Sequence, residues 1–162
     1  MIFVTVGTQF PFDRLIKGVD SWLNSNQSAE VVAQICHSAY LPKRIEFYDF
    51  LGAKEFDDKF KEAEFIVSHA GMGNILKAFD YRKHIIIMPR RSEFGEHRNN
   101  HQIDSSKYFG SIDGIEVVNS DQELQDALSR LRSQQQIEFP ERNDSCELEK
   151  LINSIRSFLR EG

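Results

Sequence analysis

The stretch "FIVSHAGMGNILKAF", residues 65 to 79, sets an apolar run, a turn with glycines at 71 and 73, and a helical pattern end to end. A short apolar run closed by glycine reads as a buried strand, and the residues after it recur at helical spacing, so this is a strand–turn–helix unit. Gly71 and Gly73 let backbone N–H groups converge at the helix N-terminus, which suits a diphosphate. The pattern is not GxGxxG and lacks the Lys and Ser/Thr of a P-loop. Glycines also serve tight turns that hold no ligand, so the rest of the chain has to decide.

Outward from this unit the same alternation repeats. "IFVTV" (2 to 6) is a strand ended by Gly7, and Leu15, Ile16, Val19, Trp22 and Leu23 follow as one helical face. "EVVAQIC" (30 to 36) and "RIEFYDF" (44 to 50) read as strands. "EFDDKFKEA" (55 to 63) is a short helix with Phe56 and Phe60 inward and a solvated acidic face. After the helix from Met72 to Tyr81 comes "HIIIMP" (84 to 89), stopped by Pro89. A helix from about Asn99 to Phe109 and the strand "GIEVV" (114 to 118) complete the alternation. Ser120 with Glu123 forms a capping box, opening a helix whose stripe is Leu124, Ala127, Leu128 and Leu131. The middle of 129 to 145 reads as a surface loop. A last helix, about 145 to 160, carries Leu148, Leu151, Ile152, Ile155, Phe158 and Leu159 on one face, to pack on the domain's own core or to contact a partner.

Strands alternating with helices require crossovers, so the expected fold is α/β, a Rossmann-like parallel sheet with helices on both faces, formed by residues 1 to 162 as one domain. The chain of 162 residues, 40% hydrophobic with 13 Phe, can bury one sizeable core. A net charge of -5 offers no broad cationic field for a nucleic-acid backbone, so no nucleic acid is expected as a partner. Cys36 and Cys146 lie far apart with neither CxxC spacing nor ligand-spaced histidines, which argues against a zinc site or disulfide framework and for a reducing cytoplasm. The N-terminus lacks the basic and small-residue pattern of a secretory signal, and no apolar run approaches the roughly 20 residues of a membrane span.

Ligands of such sheets bind beyond the carboxyl ends of the strands, which singles out three loops. The first, "GTQFPFDRL" (7 to 15), offers Gly7 for close backbone approach, Thr8 and Gln9 as donors, and Asp13 as a cap for the next helix. The second, "SHAGMGN" (68 to 74), offers Ser68, His69 and Asn74 around the glycines. The third, "PRRSEFGEHRNNHQ" (89 to 102), concentrates Arg90, Arg91, Glu96, His97, Arg98, Asn99, Asn100, His101 and Gln102, giving cations for phosphate and amides or a carboxylate for sugar hydroxyls.

"VTVGTQFPFDRL", "FIVSHAGMGNILKAF" and "IIIMPRRSEFGEHRNNHQ", in this order and spacing, resemble the C-terminal, donor-binding half of GT-B glycosyltransferases. The nearest resemblance is to the short PssE-like and EpsF-like bacterial exopolysaccharide proteins, which are similar to the catalytic subunit of the bipartite dolichol-linked N-acetylglucosaminyltransferase. It covers residues 1 to 110 strongly, and "GEHxxxHQ" is its most specific part. The resemblance implies transfer of a sugar from a UDP-sugar to a lipid-linked saccharide with inversion, in exopolysaccharide or capsule synthesis. It places Gly7, Thr8 and Gln9 near the diphosphate or acceptor. Gly71, Met72 and Gly73 become backbone donors to the diphosphate, flanked by Ser68, Asn74 and Arg90. Glu96, Asn100, His101 and Gln102 fall around the donor sugar, and Tyr48 to Leu51 opposite uracil. Lys77 stands where related lipid II-forming enzymes carry a glutamate for ribose.

Inverting attack needs a base for the acceptor hydroxyl, for which His69, Glu96 and His101 are the candidates, although a histidine beside a glycine elbow reads first as an orienting partner. Without a D-x-D motif no metal and no cofactor are expected, the UDP-sugar being the donor substrate. The resemblance further implies a membrane-anchored PssD-like subunit that supplies the acceptor site and draws the chain to the cytoplasmic face of the membrane. Homo-oligomerisation of the isolated chain stays open. The rival readings are a nucleotide-binding regulatory module without transfer chemistry and another Rossmann-type enzyme.

Overall fold

The computed structural model describes residues 1 to 134 and residue 139. The expected helix at about 145 to 160 and Cys146 lie outside the described residues. Six strands form one parallel sheet: β1 (Ile2–Thr5), β2 (Val31–Gln34), β3 (Glu46–Tyr48), β4 (Phe65–His69), β5 (Ile85–Met88) and β6 (Ile115–Val117). Their spatial order is β3-β2-β1-β4-β5-β6. Every pairing is parallel, with Thr5 of β1 opposite both Gln34 and Ser68.

The helices are α1 (Asp13–Trp22), α2 (Ala53–Glu62), α3 (Met72–Asp80), α4 (His101–Phe109) and α5 (Asp121–Ser133), with a 3-10 turn at Ser92–Phe94. They cover both faces of the sheet, which is why β1, β2 and β5 are buried at every position and read as apolar runs, broken only at the final Thr5 of β1 and Gln34 of β2. On one face Val4, Val67 and Ile86 pack with Leu15, Ile16 and Val19 of α1 and Leu124 and Leu128 of α5. On the other, Phe3, Ile66 and Ile87 pack with Phe60 of α2, Ile75 and Ala78 of α3 and Phe109 of α4. Phe3 meets Phe56 and Phe60 edge-on at 5.3 and 6.0 Å, so both aromatics of α2 point inward.

The capping box of α5 forms with one displacement. Ser120 accepts the N–H of Glu123, but the Glu123 carboxylate returns to the N–H of Asn119 at 2.8 Å, one residue earlier than the motif prescribes. Asp13 does not cap α1: the cap position is Phe12, and the Asp13 carboxylate instead accepts the Ser38 hydroxyl at 2.5 Å.

Candidate functional site

The strand order reverses direction between β1 and β4, so the loops leaving these two neighbours run to opposite sides and open a crevice at their carboxyl ends. A cleft of about 710 Å³ occupies that point. Gly7, Thr8, Gln9, His69, Gly71, Gly73, Asn74, Arg90 and Gln102 line it, so the three loops converge. Ser68, Met72, Glu96, Asn100 and His101 are not among its lining residues.

The floor is the contact between the first two loops. Gly7 adopts φ 79°, a left-handed conformation that favours glycine, and its N–H donates to Thr5 Oγ1 at 3.2 Å. His69 fills the space that side chains on Gly7 and Gly71 would need: a Cβ would lie 2.8 Å from Cε1 in the first case and 2.2 Å from Nε2 in the second. Burial first, then the charge of Arg90, lowers the His69 pKa to about 4, so the imidazole is neutral at pH 7. Asn74 donates to Ser68 Oγ at 2.8 Å, tying the first turn of α3 to the end of β4. No side chain caps α3 at Gly71, and a Cβ placed on Gly73 would meet nothing within 4 Å. The start of this helix therefore has room in front of it for an anionic group.

Arg90 is 2% exposed, and its guanidinium donates to the carbonyls of Val6 (2.8 Å), Phe10 (2.7 Å), Pro11 (2.6 Å) and Glu96 (3.2 Å). Burial lowers its pKa to about 10, which still leaves it charged at pH 7. Arg90 thus fastens the first loop to the third, and its hydrogen-bonding groups point at protein carbonyls. Its own N–H donates to Gln102 Oε1 at 3.1 Å. Glu96 is held in turn by Arg14, which donates Nε and Nη2 to its two oxygens at 2.7 and 2.9 Å, and by the Arg91 N–H at 2.8 Å. Glu96 lines a separate hollow beside α1, with Arg14, Lys17 and Phe94. Asn100 accepts the Ser92 N–H at 2.8 Å, and His101 Nδ1 contacts Asn99 Oδ1. Burial, then His97, lowers the His101 pKa.

Gln34 and Phe56 also line the cleft, and the sequence reading assigns them no place there; His97, named in it as one member of the third loop, lines the cleft as well. Gln34 is 1% exposed and bridges the Gly7 carbonyl (Nε2 donating, 2.9 Å) to the Leu51 N–H (accepted at 3.0 Å). It joins the first loop to the segment Tyr48 to Leu51. A glutamine closing an otherwise apolar strand "VVAQ" is the one signal that could have found it. Lys77 lines the cleft too, its ammonium 2.8 Å from Asp57 Oδ1, an oxygen that Tyr81 also contacts. The hydrogen bonds from Lys61, Lys77 and Tyr81 hold the Asp57 carboxyl well below the usual range. Among the described residues no three His, Cys, Asp or Glu side chains group to hold a metal ion, and no helix is long and apolar enough to cross a membrane.

One protein family matches the chain by sequence. The profile described as "Glycosyltransferase family 28 C-terminal domain" matches residues 1 to 156. Among solved structures, ALG13 aligns with a TM-score of 0.62 at 18% identity, over 93% of either chain. The glycotransferase of kitacinnamycin aligns with a TM-score of 0.57 at 14% identity, over 99% of this chain and 40% of that one. MurG of Acinetobacter baumannii gives 0.57 at 12%, over 95% and 44%. The chain thus spans less than half the length of these last two enzymes. At these identities the likeness is one of fold. No curated protein sequence matches.

Proposed function

The chain belongs to the glycosyltransferase family 28 C-terminal domain family, and from that membership we propose that it is the donor-binding catalytic subunit of an inverting, UDP-sugar-dependent hexosyltransferase. The observation that carries the reading is the start of α3: uncapped by any side chain, open in front of Gly73, and set in a 710 Å³ cleft at the sheet's switch point. The N–H groups of Met72 and Gly73 hold the diphosphate, those of Gly71 and Asn74 donating to the carbonyls of His69 and Gly71, while Leu51 and Phe56 offer an apolar wall for the base.

In the reaction an acceptor hydroxyl oxygen attacks the anomeric carbon from the face opposite the diphosphate. The bond from that carbon to the diphosphate oxygen breaks, and its electron pair stays on the departing UDP. The partial positive charge of the α3 N-terminus stabilises the charge that develops there. The hydroxyl proton needs a base. Of the three candidates, Glu96 is bound bidentately by Arg14, His101 contacts Asn99, and His69 is wedged between glycines with a depressed pKa. In this reading the base comes from the acceptor-bearing partner.

The acceptor is a lipid-linked saccharide of exopolysaccharide or capsule synthesis, presented by a membrane-anchored PssD-like subunit at the cytoplasmic face. The resemblance to PssE-like proteins supports a divided enzyme. The test is UDP release from UDP-glucuronic acid, UDP-galactose and UDP-N-acetylglucosamine in membranes containing the partner, with and without this chain. Release that needs both components is expected. Full transfer by the purified chain alone would contradict the division, and nucleotide binding without transfer beside the partner would favour a regulatory module.

A further inference from the structure

The backbone pairing between β2 and β3 continues two residues past the strands and then stops. Ile35 and Cys36 donate their N–H groups to the Tyr48 and Asp49 carbonyls at 2.9 and 3.1 Å. Cys36 and His37 enter the left-handed region, φ 49° and 53°, which ends the extended run. The next tie is made by a side chain instead: Gln34 Oε1 accepts the Leu51 N–H at 3.0 Å. The same amide donates Nε2 to the Gly7 carbonyl at 2.9 Å, next to the point where the Val6 N–H meets the Gln34 carbonyl at 3.1 Å. One buried amide, 1% exposed, thus sets the spacing between Gly7 of the first loop and Leu51, and both of these residues line the cleft. With both ends of its amide given to the backbone, Gln34 acts on a ligand through these two neighbours.

We propose that Gln34 is a positioning residue for nucleobase choice, holding the segment Tyr48 to Leu51 at the place from which it selects one base over another. This deepens the donor-site reading above and rests on it, since that reading sets Leu51 and Phe56 beside the base. Discrimination between two bases of similar size needs the surrounding groups held to within about 0.5 Å of their productive positions. Of the three ties named on this segment, those at Tyr48 and Asp49 are made by backbone, and the one at Leu51 comes from a side chain. Cutting it strands the Leu51 N–H and the Gly7 carbonyl together, so both move to find new partners and the wall moves with them.

The experiment is calorimetric titration of the full chain and its variants with UDP and with CDP. These share ribose and diphosphate and differ only at the base, so the ratio of their affinities reads the base wall alone. The wild type should prefer UDP, and Gln34→Leu should lower that preference about tenfold, the size of one hydrogen bond. Gln34→Glu keeps the shape: protonated, it donates to the Gly7 carbonyl and accepts the Leu51 N–H, whereas ionised it repels that carbonyl. Its ratio should therefore return toward the wild-type value as pH is lowered from 8 to 6, and this carries the test if the Leu variant does not fold. A role confined to stability would lower the melting temperature and leave the ratio at its wild-type value. That result in Gln34→Leu, or no recovery by Gln34→Glu at pH 6, would overturn the assignment, as would a wild type that binds UDP and CDP equally. Wild-type binding separates the two levels: if the unaltered chain binds neither nucleotide, the donor-site reading fails and this inference with it. If it binds UDP but the variant pattern is absent, only the role of Gln34 falls.

Discussion

Gly71 and His69 share a space that only a glycine leaves open: a Cβ on Gly71 would stand 2.2 Å from His69 Nε2. The imidazole is thereby packed under the elbow that starts α3, and Gly7 closes it from the other loop. Gly71→Ala must push the ring aside, at about 1–3 kcal/mol of stability. His69→Ala combined with Gly71→Ala should cost less than the sum of the single changes, since the clash disappears with the ring. Denaturant midpoints of the four proteins measure this coupling, and strict additivity would show that the two residues do not compete for space.

The buried imidazole also makes stability depend on pH. The pKa of His69 is about 4 in the folded chain against 6.5 for a free histidine, so between these values the unfolded chain binds the extra proton. Stability should therefore fall as pH drops from about 6.5 toward 4, with a slope of up to ~1.4 kcal/mol per pH unit from this group. His101, also lowered, acts in the same direction. Urea denaturation at steps from pH 7.5 to 4.5 should show a shallower dependence for His69→Gln than for the wild type.

Arg90 is expected to be the most sensitive single position. Arg90→Met leaves the carbonyls of Val6, Phe10, Pro11 and Glu96 without their donor. Buried acceptors stranded in this way should cost about 3 kcal/mol or more in total. Arg90→Lys, which keeps the charge but not the planar fork, should lie between. Circular dichroism melts check the order, and a Met variant as stable as the wild type would remove Arg90 from its role as the fastener of the first loop.

Ser120→Ala serves as the control far from chemistry. It deletes the side chain that accepts the Glu123 N–H at the start of α5 and should cost about 1 kcal/mol. UDP binding, measured alongside the melt, should not change.

The strands and helices were legible because a parallel sheet covered on both faces writes itself as short apolar runs between helical stripes, and "IFVTV" and "HIIIMP" each fall within a residue or two of β1 and β5. The convergence of the three loops was legible for the same reason, since alternation fixes which strand ends carry them. What stayed hidden is pairing across long separations. Arg14 and Glu96 are 82 residues apart, and Gln34 reaches both Gly7 and Leu51; nothing local in either side chain marks its partner. Composition offered Arg90 as a cation for phosphate and Glu96 as a carboxylate for sugar hydroxyls; in the structure the Arg90 guanidinium donates to carbonyls at Val6, Phe10, Pro11 and Glu96, and the Glu96 carboxylate accepts from Arg14 of α1 and the Arg91 N–H. The left-handed backbone at Cys36 and His37, φ 49° and 53°, likewise has no glycine to announce it.

The central claim is that the start of α3 holds the diphosphate of a UDP-sugar. Calorimetric titration of the purified chain with UDP, beside Gly73→Asp, addresses it most directly, because a Cβ at Gly73 meets no protein atom within 4 Å and the variant should fold as the wild type does. Saturable UDP binding by the wild type, abolished when a carboxylate occupies the space before the helix, is the result predicted here. UDP binding of equal strength in both proteins would place the nucleotide elsewhere and contradict the account.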